Sequence, residues 1–164
     1  SIVVDASIAR AAGTRAVTSS ITCRQLLLAI TVQRHKVVLT PEIKAEWKRH
    51  QSNFSRKWLV DMVSRKLFVQ VSPAQHGACR TEASAATSPN REAMEKDLHL
   101  IEAALITDRL VLSLDDKARA LFCGLASSVG IVRTIDWRNP LKHDCCEWLK
   151  AGAGLQREHQ LRIA

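Results

Sequence analysis

The chain has 164 residues, 46% of them apolar, which is enough to bury one substantial core and excludes a disordered or fibrous protein. Lys and Arg number 24 against 16 Asp and Glu, a formal charge of +8, which favours polyanionic partners such as nucleic acid. No apolar run approaches the roughly 20 residues that cross a bilayer, so no membrane partner is expected.

The start, "SIVVDASIAR", carries an acid inside its apolar run and no basic leader, so it does not read as a secretory signal. Its lack of Met is read as a trimmed or engineered start. Five cysteines (Cys23, Cys79, Cys123, Cys145, Cys146) form no CxxC pair and leave an odd count. Free thiols in a reducing cytoplasm are therefore expected, and adjacent Cys145 and Cys146 beside His143 lack the usual zinc spacing.

In chain order, "SIVV", "KVVLT", "LFVQV", "LVLSL" and "IVRTI" predict short strands, several of them apolar on both faces. Between them, "CRQLLLAITVQ", "PEIKAEWKRH", "REAMEKDLHLIEAALITD" and "KARALFCGLASS" predict helices. Met94, Leu98, Ile101 and Leu105 share one helical face, as do Ala118, Leu121, Phe122 and Leu125. Doubly buried strands separated by helices predict an α/β fold, a three-layer α/β/α sandwich with a mainly parallel central sheet. Residues 72–90, rich in Ser, Ala, Thr and Pro, predict a long loop or insertion. Residues 1–140 are expected to form the domain, and residues 141–164 an extension packed on it or trailing from it, ending in a polar tail.

Parallel sheets place functional groups beyond the carboxyl ends of their strands. Asp5 follows "SIVV" directly, and Asp115 follows "LVLSL" directly. Asp5 would also serve as a helix cap. Of the adjacent pair, Asp116 suits the cap of the helix beginning at Lys117, which leaves Asp115 free for function. Thr40, Pro41 and Glu42 together read as a helix start, the acid complementing the dipole. Glu46, one turn later, gains less from the dipole and is the stronger candidate, with Glu42 in reserve. Asp97 lies among apolar residues of a helix, where it is either buried or a surface partner of Lys96 or Arg91. Four carboxylates drawn together need a cation, and an all-oxygen set selects Mg²⁺ or Mn²⁺.

From residue 44 to 66, seven Lys or Arg face two acids, Glu46 and Asp61, with Trp47, Phe54 and Trp58 interleaved. Lys48, Arg49, Arg56 and Lys57 would contact phosphates in a salt-dependent, sequence-blind way. Trp47, at i+4 from Ile43, is expected to anchor its helix, while Trp58 is open to core packing or base stacking. Ser7 and Ser113 are candidates to orient a metal-bound water or a phosphate oxygen, and Arg119 to touch a phosphate. His99 is set aside, because metal-bound water would supply the nucleophile.

"IVVDAS", "TPEIKAEW", "KDLHLIEAAL" and "LVLSLDDKARALF" occur in an order that resembles the PIN-domain nucleases, from residue 2 to about 135. The family's acids fall on Asp5, on Glu46 before Trp47, on Asp97 ahead of Ala103 and Ala104, and on Asp115 within Ser113-Leu114-Asp115. The resemblance implies a metal-dependent endoribonuclease acting on single-stranded RNA. Such proteins are often the toxin of a toxin–antitoxin pair, with a small antitoxin partner, and often homodimeric; others process ribosomal RNA. The 72–90 segment and the chain after residue 136 depart from the compact toxin form, and Asp116 and Glu102 leave ligand identity open by one position. Two other readings compete. One is a catalytically inactive RNA-binding or scaffolding module of the same fold; the other is a phosphoryl-transfer domain, which lacks its second Asp in "DASIA".

Overall fold

The computed structural model describes residues 1–162. The chain is an α/β protein with parallel strands. Strand β1 (Val3–Val4) leads into α1 (Ala6–Ala11) and α2 (Thr18–Val32). Strand β2 (Val37–Leu39) is followed by α3 (Pro41–His50) and α4 (Asn53–Ser64), then by β3 (Phe68–Gln70), α5 (Gly77–Ala85) and α6 (Ser88–Leu105). Strand β4 (Leu110–Leu112) precedes α7 (Asp116–Ser128), a 3-10 turn (Gly130–Thr134), β5 (Asp136–Arg138) and α8 (Cys145–Lys150).

Strands β1, β4 and β5 pair in the order β1-β4-β5, and β2 pairs with β3. Ile2 joins the two sets: its N–H donates to the Lys36 carbonyl at 2.8 Å, and its carbonyl accepts from Val38 N–H at 2.9 Å. The strands therefore run in the order β3-β2-β1-β4-β5. The strands β1, β2 and β4 are buried along their length, as continuous apolar runs require. Helices α1 to α4 pack among themselves, with α8 against α2, while α5, α6 and α7 form a second packed group. Trp47 and Trp58, both buried, stack at 5.8 Å, and Phe122 meets Trp137 at 5.6 Å.

Two sequence expectations are corrected. "IVRTI" is the 3-10 turn and the end of it; the strand is the next segment, Asp-Trp-Arg, whose Asp136 and Arg138 are buried as an ion pair and so escape an apolar pattern. Residues 72–90 are not a loop throughout. His76 accepts from Cys79 N–H to start α5, Cys79 and Ala83 bury one face at i and i+4, and the Arg80 guanidinium grips the buried Glu102 carboxylate at 2.7 and 2.9 Å. The polar C-terminal stretch is tied down, with Gln160 bridging Asp136 and Leu161 N–H donating to the Ile135 carbonyl at 2.9 Å. The basic stretch is divided at Gln51 and Ser52, where Ser52 Oγ accepts from Ser55 N–H to open α4. Among the described residues no helix is long and apolar enough to cross a membrane.

Candidate active site

Val4 of β1 lies in register with Leu112 of β4, so the next residues, Asp5 and Ser113, emerge side by side at the carboxyl edge. The ladder continues one step, Asp5 N–H donating to the Leu112 carbonyl at 3.0 Å. Asp5 stands at the start of α1 yet makes no side-chain cap bond. Its Oδ2 instead accepts from two hydroxyls, Ser113 Oγ at 2.6 Å and Ser7 Oγ. Each serine is held in turn by a backbone donor: Asp115 N–H to Ser113 Oγ at 3.0 Å and Leu114 N–H to Ser7 Oγ at 3.1 Å. Both hydroxyls thus point their protons at Asp5. In this arrangement they orient a carboxylate.

Trp47 explains how Glu46 arrives. Thr40 Oγ1 caps α3 by accepting from Ile43 N–H at 3.1 Å, and Pro41 opens the helix. Trp47 is then buried with its Nε1–H donating to the Val4 carbonyl at 2.9 Å, one residue before Asp5. The neighbouring Glu46 is thereby carried to the strand edge. Asp97 comes from α6, whose Leu98 and Ile101 are fully buried.

Asp5, Glu46, Asp97 and Asp115 all line one cleft of about 150 Å³, together with Ser7, Arg10, His50 and Lys96. Burial pushes the Asp97 carboxyl up to about 6, the charges of Asp5 and Glu46 adding to the rise while Lys96 and His99 oppose it. Lys96 Nζ lies 3.8 Å from Asp97 Oδ1.

Asp115 corrects an expectation. It, not Asp116, caps α7, its Oδ1 accepting from Ala118 N–H at 2.9 Å. Asp116 is the first helical residue and pairs outward with Lys142 at 2.8 Å and Asn139 at 3.2 Å; the Lys142 ammonium holds its carboxyl below the usual range. Asp115 therefore has a structural duty and a place in the cleft at once. Among the described residues no three Asp, Glu, His or Cys side chains are gathered closely enough to form a ready metal site. Asp115 is turned to its cap, Asp5 to its serines, and Glu46 to His99.

The remaining candidates lie elsewhere. Glu42 is exposed in the first turn of α3, its carboxyl lowered by its own backbone amide and then by the Thr40 hydroxyl. Lys48, Arg49, Arg56 and Lys57 are exposed but do not line the acid cleft, nor does Arg119. Trp58 is core: its Nε1–H donates to the Leu27 carbonyl at 2.7 Å and to Thr31 Oγ1 at 2.8 Å, so it is not placed to stack on a base.

Sequence reasoning passed over Arg10 and His50, took Lys96 only as a candidate surface partner of Asp97, and set His99 aside. Arg10 follows Ser7 by three residues and His50 follows Glu46 by four, spacings that put each pair on one helix face. His99 is buried behind Glu46, with Nε2 at 3.5 Å from Glu46 Oε2 and Nδ1–H donating to the Lys96 carbonyl at 2.9 Å. Its place amid "LHLIEAAL" marks it as inward-facing, but not as facing an acid.

No family model, curated protein or solved structure matches this chain.

Ser113→Ala should leave the fold intact while freeing Asp5 to rotate. If the cleft is catalytic, turnover is expected to fall by about 10- to 100-fold, the usual cost of losing a group that orients a working carboxylate. Circular dichroism alongside the activity assay checks this, and Ser113→Thr, which restores a hydroxyl, should recover part of the loss.

Proposed function

We propose that the chain is an Mg²⁺- or Mn²⁺-dependent endoribonuclease with a PIN-like three-layer α/β/α sandwich, hydrolysing phosphodiester bonds of single-stranded RNA. The observation that carries this reading is the convergence of Asp5, Glu46, Asp97 and Asp115, from four separate elements, on one cleft of a chain with net charge +8. Clustered carboxylates repel one another and repel RNA, so a binding surface gains nothing from them alone. The all-oxygen donor set fits a hard divalent cation; burial first, and then the like charges of Asp5 and Glu46, raise the Asp97 carboxyl, and a cation among these acids would relieve their repulsion. Asp5, Glu46, Asp97 and Asp115 would hold it. A bound cation supplies a water acidic enough to attack a phosphodiester near neutral pH and offsets charge on the departing oxygen. Ser7 and Ser113 keep Asp5 aimed, Trp47 fixes the helix that carries Glu46, and Arg10 and Lys96 place positive charge beside the acids to draw in the anionic backbone.

Asp5→Asn and Asp97→Asn are each expected to lower RNA hydrolysis at least about 100-fold, since even outer partners of metal ligands cost up to that much. The assay is cleavage of single-stranded RNA with Mn²⁺ or Mg²⁺ against the same reaction in EDTA. Cleavage that persists in EDTA, or that survives both substitutions in folded protein, overturns the reading. RNA binding without cleavage at any metal concentration makes the chain a binding module instead.

A further inference from the structure

The strongest expectation for substrate contact was the basic face of α3 and α4, yet its cations lie outside the cleft. A different cation sits at the junction of three depressions. Arg10, in the last turn of α1, lines the acid cleft and two others that flank it. One flanking depression, of about 530 Å³, lies between the end of α1, the loop carrying Arg15 and the start of α4 at Ser52. The other, of about 430 Å³, shares Ser7 and Asp115 with the acid cleft and ends at Lys117. Both are several times roomier than the acid cleft, large enough for a nucleotide where the central one suits an ion and a phosphate.

Resting on the nuclease reading, we propose that the phosphate backbone of single-stranded RNA runs from the Arg15 depression, over Arg10 and past the acids, to Lys117. Three observations support the path. First, Arg10, Arg15 and Lys117 are exposed, and among the described residues none of them forms an ion pair or donates a side-chain hydrogen bond. Arg10 shares a cleft with four carboxylates without being neutralised in contact by any of them, so its donors are available to phosphate.

Second, the walls of the Arg15 depression are locked. Arg24 Nη1–H donates to the carbonyls of Gly13 and Arg15, Ser52 Oγ–H donates to the Ala12 carbonyl at 2.6 Å, and Ser52 N–H donates to the Ala9 carbonyl at 3.1 Å. A loop so held presents its cation with little ordering cost on binding. Third, a cation stands on each side of the acidic centre, Arg15 in one depression and Lys117 in the other, where the neighbouring Asp116 is already paired with Lys142. Flanking cations supply the affinity that the acids themselves oppose.

The experiment measures binding of a short 5′-labelled oligouridine RNA to the whole chain in EDTA, where metal-dependent cleavage cannot occur, over a series of salt concentrations. Wild type is compared with Arg10→Ala, with the quadruple variant Lys48→Ala/Arg49→Ala/Arg56→Ala/Lys57→Ala, and with Asp5→Asn. Arg10→Ala is expected to weaken binding about tenfold and to reduce the slope of log K against log salt by about 0.7, the share of one phosphate on a single strand. Asp5→Asn should bind at least as tightly as wild type. The track is overturned if Arg10→Ala binds with unchanged affinity and slope, or if the quadruple variant carries the loss instead. Wild type that binds no RNA overturns the nuclease reading along with it. Wild type that binds through Arg10 but cleaves with no added metal removes only the metal-dependent chemistry and leaves the track standing.

Discussion

Asp97→Asn is expected to stabilise the protein without added metal above about pH 6, although under the proposed function it should abolish RNA hydrolysis. An Asp in the unfolded chain titrates near 3.8, whereas burial and the charges of Asp5 and Glu46 hold the folded carboxyl at about 6. Below about pH 4 the group is protonated in both states and contributes no difference. Between these values the folded chain keeps a proton that the unfolded chain gives up, so stability falls as pH rises. Above 6 the whole penalty is present, on the order of 3 kcal/mol. Asparagine is neutral throughout, so the variant escapes it. Urea denaturation in EDTA across pH 4 to 8 would read this as a gap that opens with pH; a gap independent of pH would refute the assigned cause. Adding Mn²⁺ should act in the opposite sense. At 100 times its Kd a bound ion stabilises by about 2.7 kcal/mol, and wild type should gain more than the variant because Asp97 is among its proposed ligands.

Much of this site was legible because parallel strands end abruptly. Asp5 and Asp115 stand directly after apolar runs, and a parallel sheet brings such positions to one edge. Glu46 was separable from Glu42 because the first turn of α3 already accounts for Glu42 through Thr40 and the helix dipole. The division of labour between Asp115 and Asp116 was not legible. Either side chain can cap a helix, and the choice depends on which residue takes the extended backbone, here Asp115 at φ −88° and ψ 93°. Helix α5 was hidden because Ala, Ser and Thr give little contrast between its faces; what fixes it is Arg80 reaching Glu102 across 22 positions. Arg10 was read past because nothing local distinguishes it from a cation on a solvated face, and only the folded cleft assembles it with the acids. Trp58 was open to core packing or base stacking, since an aromatic among basic residues suits both, and its buried indole N–H bonded to Leu27 makes it core.

The hidden strand β5 supports the second large effect. Asp136 and Arg138 are both almost fully buried, with Nε to Oδ1 and Nη2 to Oδ2 each 2.8 Å. Gln156 closes the network, its N–H donating to Asp136 Oδ2 at 2.9 Å and its Oε1 accepting from Arg138 Nη2 at 2.8 Å, while the guanidinium lies 4.2 Å from the centre of the Trp148 ring. Removing one partner strands the other charge without water, so Arg138→Met is expected to cost about 3–5 kcal/mol. Arg65→Ala, which breaks an exposed pair with Asp61 on α4, should cost under about 1 kcal/mol. The double substitution Asp136→Leu/Arg138→Met, which leaves no buried charge, should recover much of the loss; if it is no more stable than the single variant, lost packing on Trp148 rather than the orphaned carboxylate is the cause. The effect reaches the cleft through one hydrogen bond. Ser113 N–H donates to the Arg138 carbonyl at 3.0 Å, so the strand that loses its ion pair is the one that seats the serine beneath Asp5. If the chain hydrolyses RNA as proposed, hydrolysis by Arg138→Met should therefore fall even at temperatures where the variant is fully folded, and by less than in Ser113→Ala.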